Sequence, residues 1–421
     1  MSEFINNFSL RKDKLKEALR RIHAGEPYEE VKKIFAGILQ EASAGEIAEI
    51  EQALIAEGLP VEDIQYLCDV HVAMFRESLD QQAPPEMSPG HPVFTFRAEN
   101  ELANLVLNET RALVEKFKAE PDEQNRQKML EGIRKLREYE RHYERKENLL
   151  FPYLEKYGFS GPSSVMWGIH DDIRKLWKEM TRMLEADETA SHGLALEIEK
   201  RFVQMENAMR EMFYKEDRIL LPNALERLSE EDWLAIHAQE EGEFGFSFVR
   251  RGDEWPGTRE KIEDEKKDTI ILENENKQTI PERNEPMSNF PLSVGDLTLT
   301  QINLLLTHLP VDMTFVDEHD EVRYYSETPE RIFKRTPAII GRKVEKCHPP
   351  ASVDKVVQIV EDFRSGKRDT AEFWIQMGGK FIHIRYFAMR DAEGNYRGTL
   401  EVSQDISEIR KLDGEKRLLD G

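Results

Sequence analysis

The sequence predicts a multidomain protein with an all-α N-terminal half, made of a small helical bundle and a four-helix bundle, followed by an α+β domain. Three observations carry this. Apolar residues recur at helical spacing through the first half, and the periodicity switches to alternating beyond Leu292. A stretch dominated by Glu, Asp, Lys and Asn, with Pro256, Pro281 and Pro286, separates the two regimes. The chain of 421 residues also exceeds one core at about 100–200 residues per domain.

Composition narrows the function classes. Hydrophobic residues make up 39% and charged residues 33%, with a mean hydropathy of −0.63, a balance suited to water-exposed domains. No run of about 18 apolar residues occurs, so no membrane partner is expected. The opening MSEFINNFSLRKDKLK has no apolar core followed by small residues, and the expected location is cytoplasmic. A formal charge of −23 and a pI of 5.1 repel a phosphate backbone, which sets nucleic acid aside. Cys68 and Cys347, the two cysteines, are too far apart for a CxxC knuckle, so a metal would rest on His, Asp and Glu.

The elements follow in order. Residues 8–82 read as short amphipathic helices interrupted at Gly25–Pro27, Ser43–Gly45 and Gly58–Pro60. After the proline-rich joint PPEMSPGHP (84–92), long periodic stretches at 91–119, 122–157, 162–187 and 193–227 make an up-down four-helix bundle over 91–228. Residues 251–291 are a charged linker that buries too little to offset its ordering entropy; FGFSFVR (244–250) and TIILEN (269–274) are weak strand signals at its edge and within it. Over 297–412, MTFVD (313–317), VRYYS (322–326), AEFWIQM (371–377), KFIHIRYFAMRD (380–391) and YRGTLEVSQDI (396–406) read as five strands. Helical patterns at 329–334 and 351–364, the latter capped by Ser352, supply the cover.

Within the bundle, certain imidazoles and carboxylates share a stripe with large apolar residues. His91 aligns with Phe94, Ala98, Leu102 and Leu105. Glu147 continues Leu136, Tyr139, Tyr143, Leu150 and Leu154, with His142 at the edge in line with Leu149. His170 falls between Met166, Ile173 and Trp177, and Glu216 interrupts Met205, Met209, Met212 and Leu220. A lone buried carboxylate costs several kcal/mol, so inward acids require a partner or a metal. Convergence of these groups on the bundle axis would suit iron, manganese or zinc, although any single histidine can equally be a hydrogen-bonded core side chain.

The segments HPVFTFRAENE (91–101), HYERKENLLFP (142–152), IHDDIRKLW (169–177) and YKEDRILLP (214–222) resemble the four ligand-bearing helices of hemerythrin-like, or HHE cation-binding, domains. The resemblance implies a di-iron centre, with zinc, manganese or a single iron as alternatives, and His91, His142, Glu147, His170 and Glu216 as metal ligands. Two positions depart from that pattern: Arg174 stands where a second histidine follows on the third helix, and Met212 where a histidine precedes the last acid. Glu138, Glu211 and Asp217 are further oxygen donors that could enrich the site. Residues 10–80, above all GEIAEIEQALIAEGLPVEDIQYLCDVHVAMF (45–75), resemble a domain of unknown function that commonly precedes such bundles; Cys68 and His71 share one helical face there.

From Leu297 to about Asp420 the chain resembles a PAS domain, with LPVDMTFVDEHDEVRYYS (309–326) as the opening hairpin and FIHIRYFAMRDAEGNYRGTLEVSQDISEIRKL (381–412) as the last strands and exit segment. The resemblance implies a pocket for haem, flavin or a small metabolite, or dimerisation alone. Within CHPPASVDKV (347–356), Cys347 and His348 are candidate cofactor contacts, the two prolines fixing where His348 points. His383, on a strand face with Phe381, Arg385 and Phe387, is a third. Ile409, Leu412, Lys416 and Leu419 lie at seam-like spacing in the exit segment.

The resulting expectation is a metal-binding sensor or regulator: an iron centre answers to oxygen, nitric oxide, redox state or iron, and a PAS domain relays the state to a downstream protein or through a homodimer. An enzyme acting on peroxide or nitric oxide, or repairing iron centres, is the alternative, although no Walker-type phosphate loop, GxSxG or HExxH occurs. A metal-free dimerising scaffold is the third reading.

Overall fold

The structure is a computed structural model. It describes residues 84–186, 189–240, 244–250, 290–328 and 331–415, together with Gly242, Trp255 and scattered positions between 13 and 81. The chain forms two compact units, Met1–Thr258 and Arg259–Gly421. Among the described residues no helix is long and apolar enough to cross a membrane.

In the first unit, helix α1 (Tyr28–Leu39) precedes the bundle. Helix α2 (Pro92–Ala119) starts where His91 caps it, the ring Nδ1 accepting from the Val93 amide, and Pro92 needs no donor at the first position. Helix α3 (Glu123–Arg137) is capped by Asp122. A turn at 138–139 leads into α4 (Glu140–Arg145), a π-helical turn (Lys146–Leu150) and α5 (Phe151–Lys156). Helices α6 (Gly161–Glu185) and α7 (His192–Lys215) follow, then a second π-helical turn (Glu216–Leu220), α8 (Leu221–Arg227) and α9 (Glu230–Glu240).

The buried face of α2 corrects the sequence expectation. Val93, Phe96, Glu99, Asn100, Ala103, Val106 and Leu107 point inward, whereas Leu105 is 56% exposed. The helix carries two apolar stripes, and the true one is interrupted by Glu99 and Asn100, so its rival looked cleaner. Gly132 of α3 lets the neighbouring helix approach, since a Cβ there would lie 2.7 Å from Leu113 Cδ1.

In the second unit a short pair, β1 (Phe290–Pro291) with β2 (Asp296–Leu297), leads into α10 (Leu299–His308), which has a capping box formed by Thr298 and Gln301. The main sheet contains β3 (Asp312–Asp317), β4 (Val322–Tyr325), β5 (Thr370–Met377), β6 (Lys380–Arg390) and β7 (Tyr396–Asp405). Its order is β4-β3-β7-β6-β5, and every pairing is antiparallel. Helix α11 (Pro350–Arg364) buries Ile359, Val360 and Phe363, so the α+β class of the sequence reading holds.

Several local expectations differ. Helix α11 begins after Pro349 rather than Ser352, because prolines are favoured in the first turn, where their missing N–H costs nothing. Residues 331–334 are not helical, nor are 244 and 246–250 a strand. TIILEN, Cys68, His71, Lys416 and Leu419 lie outside the described residues. Gly398 adopts a positive φ of 138° where β7 passes Val316 so closely that a Cβ would collide with its carbonyl.

Candidate functional site

Two successive π-helical turns build the polar core. Each ends one residue before a helix whose second position is proline, Pro152 after the first and Pro222 after the second. A proline inside a helix lacks a donor and crowds the carbonyl four residues back. The wider turn accommodates this: Phe151 N–H donates to the Lys146 carbonyl and Leu221 N–H to that of Glu216. The extra residue also advances the helical register, so Lys146 and Glu147, adjacent in sequence, are both buried.

The first cluster centres on His142, which is fully buried. Its Nδ1 lies 2.9 Å from Glu99 Oε2 and its Nε2 2.8 Å from Glu216 Oε2. Arg145 donates to both oxygens of Glu99, at 3.0 and 2.5 Å, and the Ser247 amide donates to Oε1 at 2.6 Å. Lys146 Nζ pairs with Glu216 Oε1, while Asn100 Nδ2 donates to Glu216 Oε2 at 3.1 Å and Asn100 Oδ1 accepts from the Tyr139 hydroxyl. Burial raises the Glu216 carboxyl, but Lys146 and His142 outweigh it and hold it near 2. Burial likewise opposes ionisation of Glu99, yet Arg145 and His142 keep it below the usual carboxylate range.

The second cluster joins His170, Glu147 and Arg174. His170 Nδ1 stands 2.7 Å from Glu147 Oε1, and the Arg174 guanidinium grips both Glu147 oxygens at 2.9 Å. Tyr143 stacks on His170 with ring centroids 4.1 Å apart. Burial pushes the Glu147 carboxyl up to about 7 against the pull of Arg174, and lowers the His170 imidazole well below its ordinary value. His170 Nε2 is buried with no hydrogen-bond partner.

The structure therefore groups the candidate ligands in pairs, His142 with Glu216 and His170 with Glu147. His91 sits elsewhere, at the start of α2, its ring against Trp233 at 4.9 Å and Trp255 at 4.6 Å. Among the described residues no group of three or more His, Cys, Asp or Glu side chains is arranged to hold a metal ion. Of the further oxygen donors, Glu138 is exposed, Glu211 pairs with Arg76 at 3.0 Å, and Asp217 lies 3.8 Å from Arg97, its carboxyl raised to about 6 mainly by burial. Sequence reasoning missed Glu99, Asn100, Arg145 and Lys146, whose polar character argued for the outer face.

In the second unit His348 lines a cavity of about 20 Å³ with Tyr386, with Thr399 and Glu401 of β7, and with apolar residues of β3 and α11. Its Nδ1 bonds the Val344 carbonyl at 2.8 Å. Cys347 packs against Val316, Val322 and Ile339. His383 faces away from the core formed by Ile382 and Ile384, beside Glu372 at 3.2 Å, so the sheet separates it from His348.

Family models match three consecutive segments: a family of unknown function, DUF438, over 15–81, the hemerythrin HHE cation binding domain over 91–224, and a PAS domain over 302–407. The helical bundle is a hemerythrin HHE domain. Among solved structures, a C-terminal domain from Streptococcus mutans is 41% identical, covering 31% of this chain and 100% of that one with a TM-score of 0.30. The PAS domain of a Colwellia psychrerythraea protein is 14% identical, covering 26% and 98%, TM-score 0.22. That of BvgS from Bordetella pertussis is 15% identical, covering 27% and 92%, TM-score 0.23. No curated protein matches the chain. An HHE domain followed by a PAS domain supports a sensor or regulator.

The HHE family description points to a cation site, and this donor set can be tested against it. Both oxygens of Glu99, Glu147 and Glu216 accept from protein donors, and a carboxylate stands at each ring nitrogen of His142. Only His170 Nε2 is left over. The residues as arranged do not fit a di-iron centre, whose ions need these same lone pairs.

Proposed function

We propose that the protein is a sensor or regulator whose output is association of the PAS unit with a second copy of the chain. The carrying observation is strand β5, at the sheet edge, which leaves Phe373, Trp374, Ile375 and Met377 exposed, Trp374 at 62%. An apolar edge strand with unpaired backbone groups is a template for another strand. Helix α10 adds Leu299, Leu304 and Leu305, each at least half exposed, and none of its residues is buried. A cluster of exposed apolar side chains of this kind marks an interaction surface.

The input favoured by the PAS cavity is a small molecule. A space of about 20 Å³ suits one water-sized guest, with His348, Tyr386 and Glu401 as its polar contacts. An oxygen- or nitric oxide-responsive iron centre is not part of this reading, because its ligands are held by protein donors. Light scattering coupled to size exclusion tests the output: the full chain is expected to run as a dimer at micromolar concentration, and Trp374→Glu combined with Ile375→Lys as a folded monomer. A wild-type monomer under these conditions would reject it.

A further inference from the structure

We infer that in this HHE bundle protein cations, Lys146 above all and Arg174 with it, have taken the place of the metal, and that the fold does not depend on one. The inference rests on how the two π-helical turns correspond. Counting back from Pro152 and Pro222, Lys146 matches Glu216 and Glu147 matches Asp217. Opposite charges thus stand at equivalent positions of two facing turns, and the fold brings them into direct contact. Both side chains are about 1% exposed. A carboxylate at 146 would make two acids facing each other in a dry interior and would require a cation from outside. The lysine at 146 brings that cation on the chain.

The second cluster is compensated in the same way. Arg174 follows His170 by one helical turn and binds Glu147 through two parallel hydrogen bonds, the strongest geometry available to a guanidinium and a carboxylate. Arg145 closes the set on Glu99 and also lies 3.7 Å from Glu240. Breaking such pairs is costly, since the survivor is a buried unpaired charge. A metal entering here would have to displace Lys146 or Arg174 and strand that residue in turn.

The test uses the full chain produced with iron, manganese and zinc in the medium. The wild type is expected to hold substoichiometric metal by elemental analysis, with a melting temperature unmoved by EDTA or by added Fe(II), Mn(II) or Zn(II). In Lys146→Ala, freed oxygens of Glu216 should let added divalent metal raise the melting temperature, which it does not do for the wild type. Should that variant not fold, Arg174→Ala at the second cluster, where the removed side chain is itself 15% exposed, serves the same comparison. Stoichiometric metal in the wild type that EDTA removes with a fall in melting temperature overturns the inference. So does a Lys146→Ala protein as stable as the wild type without metal. Neither result bears on dimer formation through β5, so the two proposals fail separately.

Discussion

Arg174 and His170, one helical turn apart on α6, meet at the same carboxylate, that of Glu147: the guanidinium donates to both oxygens and His170 Nδ1 stands 2.7 Å from Oε1. The consequence is a buried triad in which the guanidinium carries the compensating charge and the imidazole supplies orientation. Arg174→Gln should cost about 3 kcal/mol, the lower range for breaking a buried pair, because Glu147 keeps its desolvation without its main partner. Arg174→Met combined with Glu147→Leu should cost much less than the sum of the single changes. Urea denaturation of the four proteins measures this, and additive losses would show that the pair contributes no coupling.

Two buried groups give opposite pH dependences. His91 is held down at about 4, chiefly by burial with His237 adding to it. The unfolded chain therefore binds more protons than the folded one between about 4 and 6.5, and this contribution to stability is complete above 6.5 and lost as pH falls through 4. Glu147, raised to about 7, acts the other way: its contribution is complete below about 4.5 and lost as pH rises through 7. His91→Asn keeps a capping side chain and should flatten the acid-side slope, whereas Glu147→Gln should flatten the slope toward neutrality. Melting temperatures from pH 4 to 8 separate the two, and a profile unchanged by either substitution would refute the assignment.

The bundle and the sheet were legible in the sequence because their signals are long and redundant. Helices α2, α6 and α7 each repeat apolar residues at helical spacing over many turns, and β5, β6 and β7 are runs of 8, 11 and 10 residues that carry aromatic and β-branched side chains. The site was only half legible, for local reasons. Pattern reading assigns Lys146 and Arg145 outward because charged residues rarely sit inside, and it cannot see that a π-helical turn shifts the register just there. Glu99 was hidden by a neighbouring stripe that held no acid. His91 falls at a helix start, where its ring caps α2, a role that the stripe reading did not consider. The pairing of Lys146 with Glu216 needed the third dimension, although the repeat KENLLFP and EDRILLP already placed them at matching positions.

Gly398 carries the join between β3 and β7. Its φ of 138° and the absence of a Cβ allow β7 to pass Val316 and Phe315, where the register runs from Asp317 opposite Gly398 to Asp312 opposite Ser403. Gly398→Val should therefore disrupt this pairing through backbone strain and collision together. Hydrogen exchange should show lost protection at the amides of β3 and β7 while those of α2 and α7 keep theirs. Protection retained at Phe315 and Leu400 would mean that the strands tolerate the side chain.

Glu99 is the junction of the first cluster, receiving Arg145, His142 and the Ser247 amide at once. Glu99→Gln preserves shape and removes the charge, so Arg145 is left with Glu240 at 3.7 Å as its remaining acid and His142 with Glu216. A loss of about 3 kcal/mol is expected, comparable to breaking other buried pairs. The amide also presents a donor to Arg145 and to the Ser247 N–H, so one contact turns repulsive whichever way it is flipped. Residues 246–248 should then detach first, since Ser247 reaches the bundle through this carboxylate and the Glu138 carbonyl. Limited proteolysis reads that step: faster cleavage near Phe246 in the variant than in the wild type supports the junction, and equal rates with unchanged stability would remove Glu99 from it.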